Sequence, residues 1–448
     1  MKPSIRLVAQ EFKTASLLIR ILIIFQLLLV IIAGAYIARV YTPWSVLDEG
    51  AHYDYIGKIA ENGRIPVLKD PINREVIGIP TGEFYKGKLK DLGMAGTSYE
   101  AFQPPLYYAL AAPFWHITSD NSQRYKILRA VGVIFLLLTI VMMTILSRLI
   151  VGKKWPYALA FCLPVMLAPG MLFRFVFIGN AALEPLVTII FITFCVKSWQ
   201  TKSYKWLILS GVSFALCFLT RSNLFFLLPI FIIISISVWW QRGRIRREIF
   251  FLVSSWATSV ILIFPWLIFN HIKYGSWTAQ TQARNIQADW LNYRLVNLHF
   301  LDTIREIPQF FTSGFSLPQE ASGIFGLTNY PLVLFSLQVL QFLIAPVAVV
   351  LGITLYKRSR MRPELIICAA PFFLLIIGLC IAQTISDWPI LLTRYAYGGI
   401  PTWAIAAYLV YRWAIPDDQA FSRFVAITSI STSVAVLVMT INFGDSRF

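Results

Sequence analysis

Apolar runs dominate the pattern along the chain. Segments long enough to cross a bilayer as helices occur at about 16–38, 127–151, 156–173, 183–198, 204–219, 223–241, 249–269, 330–356, 364–385, 394–413 and 421–443. The pattern predicts an all-α integral membrane protein of about 11 transmembrane helices, forming one polytopic domain over 1–448 with two larger loops, 39–126 and 270–329. The spans between 156 and 219 are short and fit a tilted or half-buried arrangement. The first run, Ser16 to Ala38, is longer than a signal-peptide core and lacks a small-residue cleavage site, so it reads as a retained anchor.

Composition agrees with this. Hydrophobic residues make up 57% and charged residues 14%, with a mean hydropathy of +0.67, whereas a soluble domain carries about 25% charged residues. All five cysteines lie in apolar runs, which excludes a disulfide framework and any metal-type Cys spacing. No Walker sequence or Gly-rich dinucleotide loop occurs, nor does an internal repeat.

The net charge of +17 raises the question of nucleic acid. With the N-terminus cytoplasmic, 19 of the 39 Lys and Arg fall in short segments of the inner side (Lys2 to Lys13, Arg148 to Lys154, Lys197 to Lys205, Arg242 to Arg247, Lys357 to Arg362, Arg412 and Arg423). Loop 39–126 carries ten basic and ten acidic residues, and loop 270–329 four of each, so both sum to zero. This positive-inside pattern explains the charge through membrane lipids and topology, and nucleic acid is not needed as a partner.

The densest polar chemistry follows the first span, from Thr42 through Asp48, Glu49 and His52 to Gly63. Ala51, Tyr55, Ile56, Ile59 and Ala60 recur at helical spacing and predict an amphipathic helix on the membrane surface from about Ser45 to Asn62, stopped at Gly63. Ser45 followed by Asp48 is a capping-box pattern, so Asp48 can satisfy helix-start amides. An acid at that position is also held ionised by the helix dipole, as a general base requires. Both roles stand together. A metal site built from Asp48, Glu49 and His52 needs a fourth group from elsewhere.

The same loop ends in Ser98-Tyr99-Glu100-Ala-Phe-Gln103-Pro104-Pro105-Leu106-Tyr107-Tyr108. Tandem proline forces an extended approach and then permits a helix to start, which presents Gln103 at a rigid elbow. The alternative is a plain turn before an interfacial helix with a tyrosine belt.

An Asp-Glu pair after the first span, followed by an x-Pro-Pro-Leu-Tyr-Tyr elbow before the second, resembles the GT-C superfamily of membrane glycosyltransferases that use polyprenyl-phosphate sugars. Within it the chain is similar to protein O-mannosyltransferases and lipid A aminoarabinose transferases. It is most similar to an uncharacterised bacterial group with Asp-Glu-x-x-His and Tyr-Glu-x-x-Gln-Pro-Pro-Leu-Tyr-Tyr. The likeness covers the first 110 residues and continues more weakly through Leu219-Thr-Arg221-Ser-Asn and Thr393-Arg394-Tyr395 to Pro401. Gln103 stands where the mannosyltransferases have His and the aminoarabinose transferases Lys. The resemblance implies that Asp48 is the acceptor-activating carboxylate with Glu49 beside it; His52, Tyr99, Glu100, Gln103 and Tyr395, in or next to the same motifs, are candidate substrate-binding residues.

Arg174, Arg221 and Arg394 sit at the outer membrane boundary, against the positive-inside trend. Each marks an ion pair, an anion site such as a lipid phosphate, or a snorkelling lipid anchor. Arg394, followed by Tyr395, is the first candidate for the leaving phosphate. Glu184 is the one acid well inside an apolar run, read either as a first-turn acid near an Asn180 cap or as a second carboxylate facing the site. In the second loop His271, His299, Trp277, Trp290 and Tyr293 fit an acceptor groove or interface anchoring. His116 reads as structural.

The function expected is an inverting transfer of sugar from a polyprenyl-phosphate donor to a hydroxyl of a glycan, lipid or protein acceptor, on the extracytoplasmic side of the plasma (inner) membrane. No soluble cofactor is required, and a divalent metal is compatible with the chemistry. A lipid-linked sugar or polysaccharide transporter (a flippase) is the alternative, though such proteins usually place ionisable groups at the midplane and show repeated halves. A non-catalytic scaffold subunit is the other alternative.

Overall fold

A computed structural model describes residues 5–40, 49–72, 97–167, 169–241, 246–279, 282–283, 363–386 and 397–445. Among them every extended element is a helix, and the β structure consists of one isolated bridge between Pro71 and Thr97. The helices are α1 (Ile5–Thr14), α2 (Leu17–Val40), α3 (Glu49–Asn62), α4 (Leu106–Ala111), α5 (Asn121–Val151), α6 (Trp155–Leu167), α7 (Pro169–Val176), α8 (Glu184–Thr201), α9 (Tyr204–Thr220), α10 (Leu228–Gln241), α11 (Arg246–Tyr274), α12 (Pro363–Ser386), α13 (Ile400–Ala414) and α14 (Asp418–Asp445). This is an all-α membrane protein. Among the described residues five stretches are long and apolar enough to cross a bilayer: Leu17–Arg39, Asn121–Leu167, Asn180–Thr201, Ser222–Gln241 and Ile249–Tyr274.

Each apolar segment within the described residues is helical, and the predicted span at 330–356 lies outside them. The predicted continuous segment 156–173 is two helices, α6 ending at Leu167 and α7 beginning at Pro169. A proline there offers no N–H to the preceding turn, which suits a helix start. Helices α8 and α9 pack together, α9 packs on α11, and α2 packs on α6. Leu136, Met143, Leu163, Ile189, Phe191 and Trp403 are fully buried between them.

Two glycines set the closest approaches. A Cβ on Gly132 in α5 would lie 1.6 Å from the Phe175 carbonyl of α7, so only glycine lets those backbones meet. Gly63 takes φ +62°, and its N–H bonds the Ile59 carbonyl at 3.0 Å, which ends α3 where the sequence predicts.

The helix itself differs from the surface helix expected. Tyr53, Asp54, Tyr55, Ile56, Gly57 and Lys58 are all buried in succession, so α3 is docked into the protein on most of its circumference. It can be, because its inner charges pair. Lys58 Nζ meets Asp54 at 2.9 Å and donates to the Pro71 carbonyl at 2.6 Å, while Ser98 Oγ bridges the two side chains. That network closes the base of the first large loop, where Ser98 N–H also bonds the Asp70 carbonyl at 2.8 Å.

The helix termini define two ends. At one lie the start of α3, the start of α5, the α7–α8 junction, the end of α9 and the start of α13. At the other, Glu11 of α1 meets Arg148 of α5 at 2.7 Å and Lys154 meets Asp418 at 2.7 Å.

Candidate active site

The first end gathers the polar residues that the sequence singled out. Glu49 opens α3, and its carboxylate is gripped by Arg129 of α5, Nε to Oε1 at 2.7 Å and Nη2 to Oε2 at 2.6 Å. The Ile178 N–H adds a third bond to Oε1 at 3.2 Å. The Arg129 guanidinium lies between the rings of Tyr125, one helical turn earlier, and Phe177, at 4.3 and 4.5 Å from their centroids. Arg129 is fully buried and Glu49 is 1% exposed, so charge, fork geometry and ring faces are all satisfied away from water.

Residues 177–183, which join α7 to α8, are the hub. The Gly179 N–H donates to Tyr107 Oη at 3.0 Å, and the His52 ring lies against Gly179 so closely that a Cβ there would come within 3.1 Å of it. Asn180 Nδ2 donates to Gln103 Oε1 at 3.0 Å and to the Thr220 carbonyl at 3.2 Å. The expectation that Asn180 caps α8 is therefore corrected. The cap position is Leu183, without a side-chain bond, because the Asn180 amide is drawn to Gln103 and the end of α9.

The double-proline elbow has the conformation its sequence dictates. Gln103 is extended at φ −73° and ψ 143°, as a residue before proline must be, and α4 starts at Leu106. Tyr107 and Tyr108 then point into the protein and not into a surface belt, both being buried. Tyr108 Oη meets His52 Nδ1 at 2.8 Å, and its ring stacks on Tyr55 at 3.7 Å between centroids. Tyr55 Oη donates to the Gln103 carbonyl at 3.1 Å. Burial pushes the phenols of Tyr55, Tyr107 and Tyr108 well above their usual range, so all three stay protonated. Tyr99 and Glu100 occupy a short buried turn immediately before the elbow.

A second ion pair sits beside the hub. Glu184 Oε2, at the start of α8, accepts from Arg221 Nη1 at 2.8 Å, and Oε1 accepts from the Gly398 N–H at 3.3 Å. Glu184 has no exposure and Arg221 only 7%, so the first-turn acid is an ion-pair partner. The Arg174 guanidinium lies 5.3 Å from the Tyr397 ring centroid. Gly398 is packed so tightly on Glu184 that a Cβ would come within 2.9 Å of Oε1.

The structure thus brings Glu49, His52, Gln103, Glu184, Arg221 and Arg174 to one end of the bundle. Asp48, Arg394, Tyr395, His299, Trp290 and Tyr293 lie outside the described residues. In the second loop His271 stacks on Trp277 at 4.6 Å, and Trp277 is 53% exposed. Among the described residues no three His, Cys, Asp or Glu side chains are grouped to hold a metal; Glu49 and His52 are engaged by Arg129 and Tyr108. His116 Nε2 meets the Ala60 carbonyl at 3.2 Å. Sequence reading missed Arg129, although an arginine inside an apolar run is the same signal that flagged Arg221.

Comparison with solved structures shows which fold this is. The structure superposes on the crystal structure of the Archaeoglobus fulgidus oligosaccharyltransferase in the apo form, over 93% of this chain and 56% of that one, at a TM-score of 0.51 and 14% identity. The fold is that of the membrane part of this archaeal oligosaccharyltransferase. Oligosaccharyltransferase AglB from the same archaeon, in complex with an inhibitory peptide and a dolichol-phosphate, gives a TM-score of 0.52 over the same shares of each chain, again at 14% identity. ArnT from Cupriavidus metallidurans bound to undecaprenyl phosphate matches over 91% of this chain and 77% of that one, at 12% identity and a TM-score of 0.39, too loose to build on. The chain spans just over half the length of the archaeal proteins it matches. No family model matches it, and no curated protein matches it in sequence.

Proposed function

We propose that this protein is an inverting glycosyltransferase that moves a sugar from a polyprenyl-phosphate donor to an acceptor hydroxyl at the outer face of the membrane. One observation carries the reading: in a GT-C fold, the acid, amide and arginine side chains between residues 49 and 221 gather on and beside the 177–183 hub at a single end of the bundle. AglB, of the same fold, holds a dolichol-phosphate, a lipid of the required class.

In this mechanism Asp48 takes the proton of the acceptor hydroxyl as its oxygen attacks the anomeric carbon. The bond from that carbon to the phosphate oxygen breaks, its electron pair leaves with the phosphate, and the configuration inverts. Arg394, with Arg221 near the hub, stabilises the charge gathering on the phosphate. Glu49, held by Arg129 and the Ile178 N–H, stands beside Asp48 as the second catalytic carboxylate and fixes the start of α3. His52, Tyr99, Glu100, Gln103, Glu184, Arg174 and Tyr395 shape the substrate side. A phosphate paired with cations leaves well without a soluble cofactor, and a divalent ion is compatible with the same site.

The Lys/Arg-rich end, with the N-terminus, faces the cytoplasm of a plasma (inner) membrane in this reading, and the hub faces outward. Loops 39–126 and 270–329 lie on the outer side of about 11 spans.

The test is transfer by the full-length protein in lipid nanodiscs, with short-chain polyprenyl-phosphate hexoses carrying a label in the sugar and native membrane extract as acceptor. Label moving to acceptor in the wild type and not in Asp48→Asn supports the reading, since Asn keeps the size of the side chain and removes only the basic carboxylate. Near-normal turnover in that variant removes Asp48 as the base.

A further inference from the structure

Two carboxamides at the hub carry a hydrogen-bonding capacity that the fold does not use. Asn180 and Gln103 are only 2% and 8% exposed. Both Asn180 Nδ2 protons are committed, one to the Thr220 carbonyl at 3.2 Å and one to Gln103 Oε1 at 3.0 Å. A backbone carbonyl can only accept, so Thr220 determines which end of the Asn180 amide is nitrogen, and Asn180 in turn fixes the Gln103 oxygen toward itself. What remains is one donor, Gln103 Nε2, and one acceptor, Asn180 Oδ1. Among the described residues neither atom has a protein partner, and neither is sealed into the packing.

Buried amides of this kind are normally satisfied, because an unmet donor or acceptor keeps its full desolvation cost. The pair is also rigid. The Gln103 backbone is held on both sides, its N–H by the Glu100 carbonyl at 2.9 Å and its carbonyl by Tyr55 Oη at 3.1 Å, and it is extended ahead of Pro104. Such fixed, neutral groups suit a ligand that both accepts and donates. An anion would gain from Gln103 Nε2 but meet the lone pairs of Asn180 Oδ1, and a cation would meet the reverse mismatch. A hydroxyl satisfies both atoms at once.

We infer that the Gln103–Asn180 carboxamide pair is a subsite that reads a hydroxyl of the transferred sugar, making Gln103 a specificity-determining residue. The inference rests on the glycosyltransferase reading and deepens it. A site built to bond a hydroxyl rejects the analogue lacking it far more strongly than an apolar pocket rejects a missing methylene.

The experiment is equilibrium binding to the full-length protein in nanodiscs, using farnesyl-phosphate glucose, galactose and mannose, their monodeoxy analogues, bare farnesyl phosphate, and free disaccharides. The variants are Gln103→Glu, which keeps the acceptor for Asn180 and replaces only the outward donor, and Gln103→Met, with melting temperature followed in each. The expected result is that the wild type loses about tenfold or more in affinity for one deoxy position. Both variants are expected to lose about the same for the parent sugar lipid while binding bare farnesyl phosphate as before. Sugar-lipid binding equal to wild type in both variants overturns the subsite and leaves the glycosyltransferase reading standing, as does an equal loss for bare farnesyl phosphate. Gln103-dependent binding of free disaccharides, with no binding of any farnesyl lipid, keeps the subsite and overturns the lipid-donor reading. Binding of neither class overturns both.

Discussion

Arg129 holds Glu49 by both carboxylate oxygens, at 2.7 and 2.6 Å, with neither side chain more than 1% exposed. Removing one partner strands the other charge in a site without water, which costs about 3–5 kcal/mol, whereas replacing both by apolar groups of similar volume is often neutral. Arg129→Ala is therefore expected to lower the melting temperature of the purified protein sharply. The double variant Glu49→Leu, Arg129→Met should recover most of that stability and none of the transfer activity. A double variant as unstable as Arg129→Ala would show that the pair is no energetic unit.

Glu49 was conspicuous as an acid in a polar loop, but its partner lies 80 positions on, inside a run that reads as span, and local periodicity carries no pairing information. The helix stop at Gly63 and the extended Gln103 were legible because glycine and proline act on their own backbone. The fate of Asn180 was not, since a cap and a long-range amide contact use the same atoms. Nor was the burial of α3, because Lys58 and Asp54 look like solvent-facing charges until they are seen to neutralise one another.

Arg221 and Arg394 should separate in their effects. Arg221→Ala leaves Glu184 buried with no exposure, so its first consequence is loss of stability on the order of 3–5 kcal/mol. Arg394, as the candidate phosphate ligand, should act on binding: Arg394→Ala is expected to weaken bare farnesyl phosphate by about tenfold to a hundredfold, and Arg394→Lys by less. Titration in nanodiscs with parallel melting curves distinguishes them, and equal effects of Ala and Lys at 394 would make that residue a lipid anchor only.

Glycine substitutions offer a test of the packing alone. At Gly132 a Cβ would lie 1.6 Å from a backbone carbonyl, and α5 and α7 must separate to admit it. At Gly34 the nearest atom is a Val133 methyl at 3.3 Å. Gly132→Ala should cost about 3 kcal/mol or more and Gly34→Ala less than about 1 kcal/mol. Equal melting temperatures for the two variants would mean that α5 and α7 are not in this contact.

The opposite end of the bundle yields a pH dependence whose sign is fixed. Hydrogen bonds from Arg148 to Glu11, at 2.7 and 3.0 Å, hold that carboxyl below the usual carboxylate range, against a smaller opposing effect of burial. A carboxylate with a depressed folded-state pKa contributes stability that is fully present above its unfolded value, ~4.3, and is lost as pH falls through the folded value. Wild type should therefore melt above Glu11→Gln at pH 7, with the gap closing as pH drops below about 4. Trp155 Nε1 also donates to Glu11 Oε2 at 3.1 Å, so Trp155→Phe should narrow the same gap without abolishing it. A gap that widens on acidification would mean that the folded-state pKa of Glu11 is raised and not depressed, so that no cation pairs with it in the membrane.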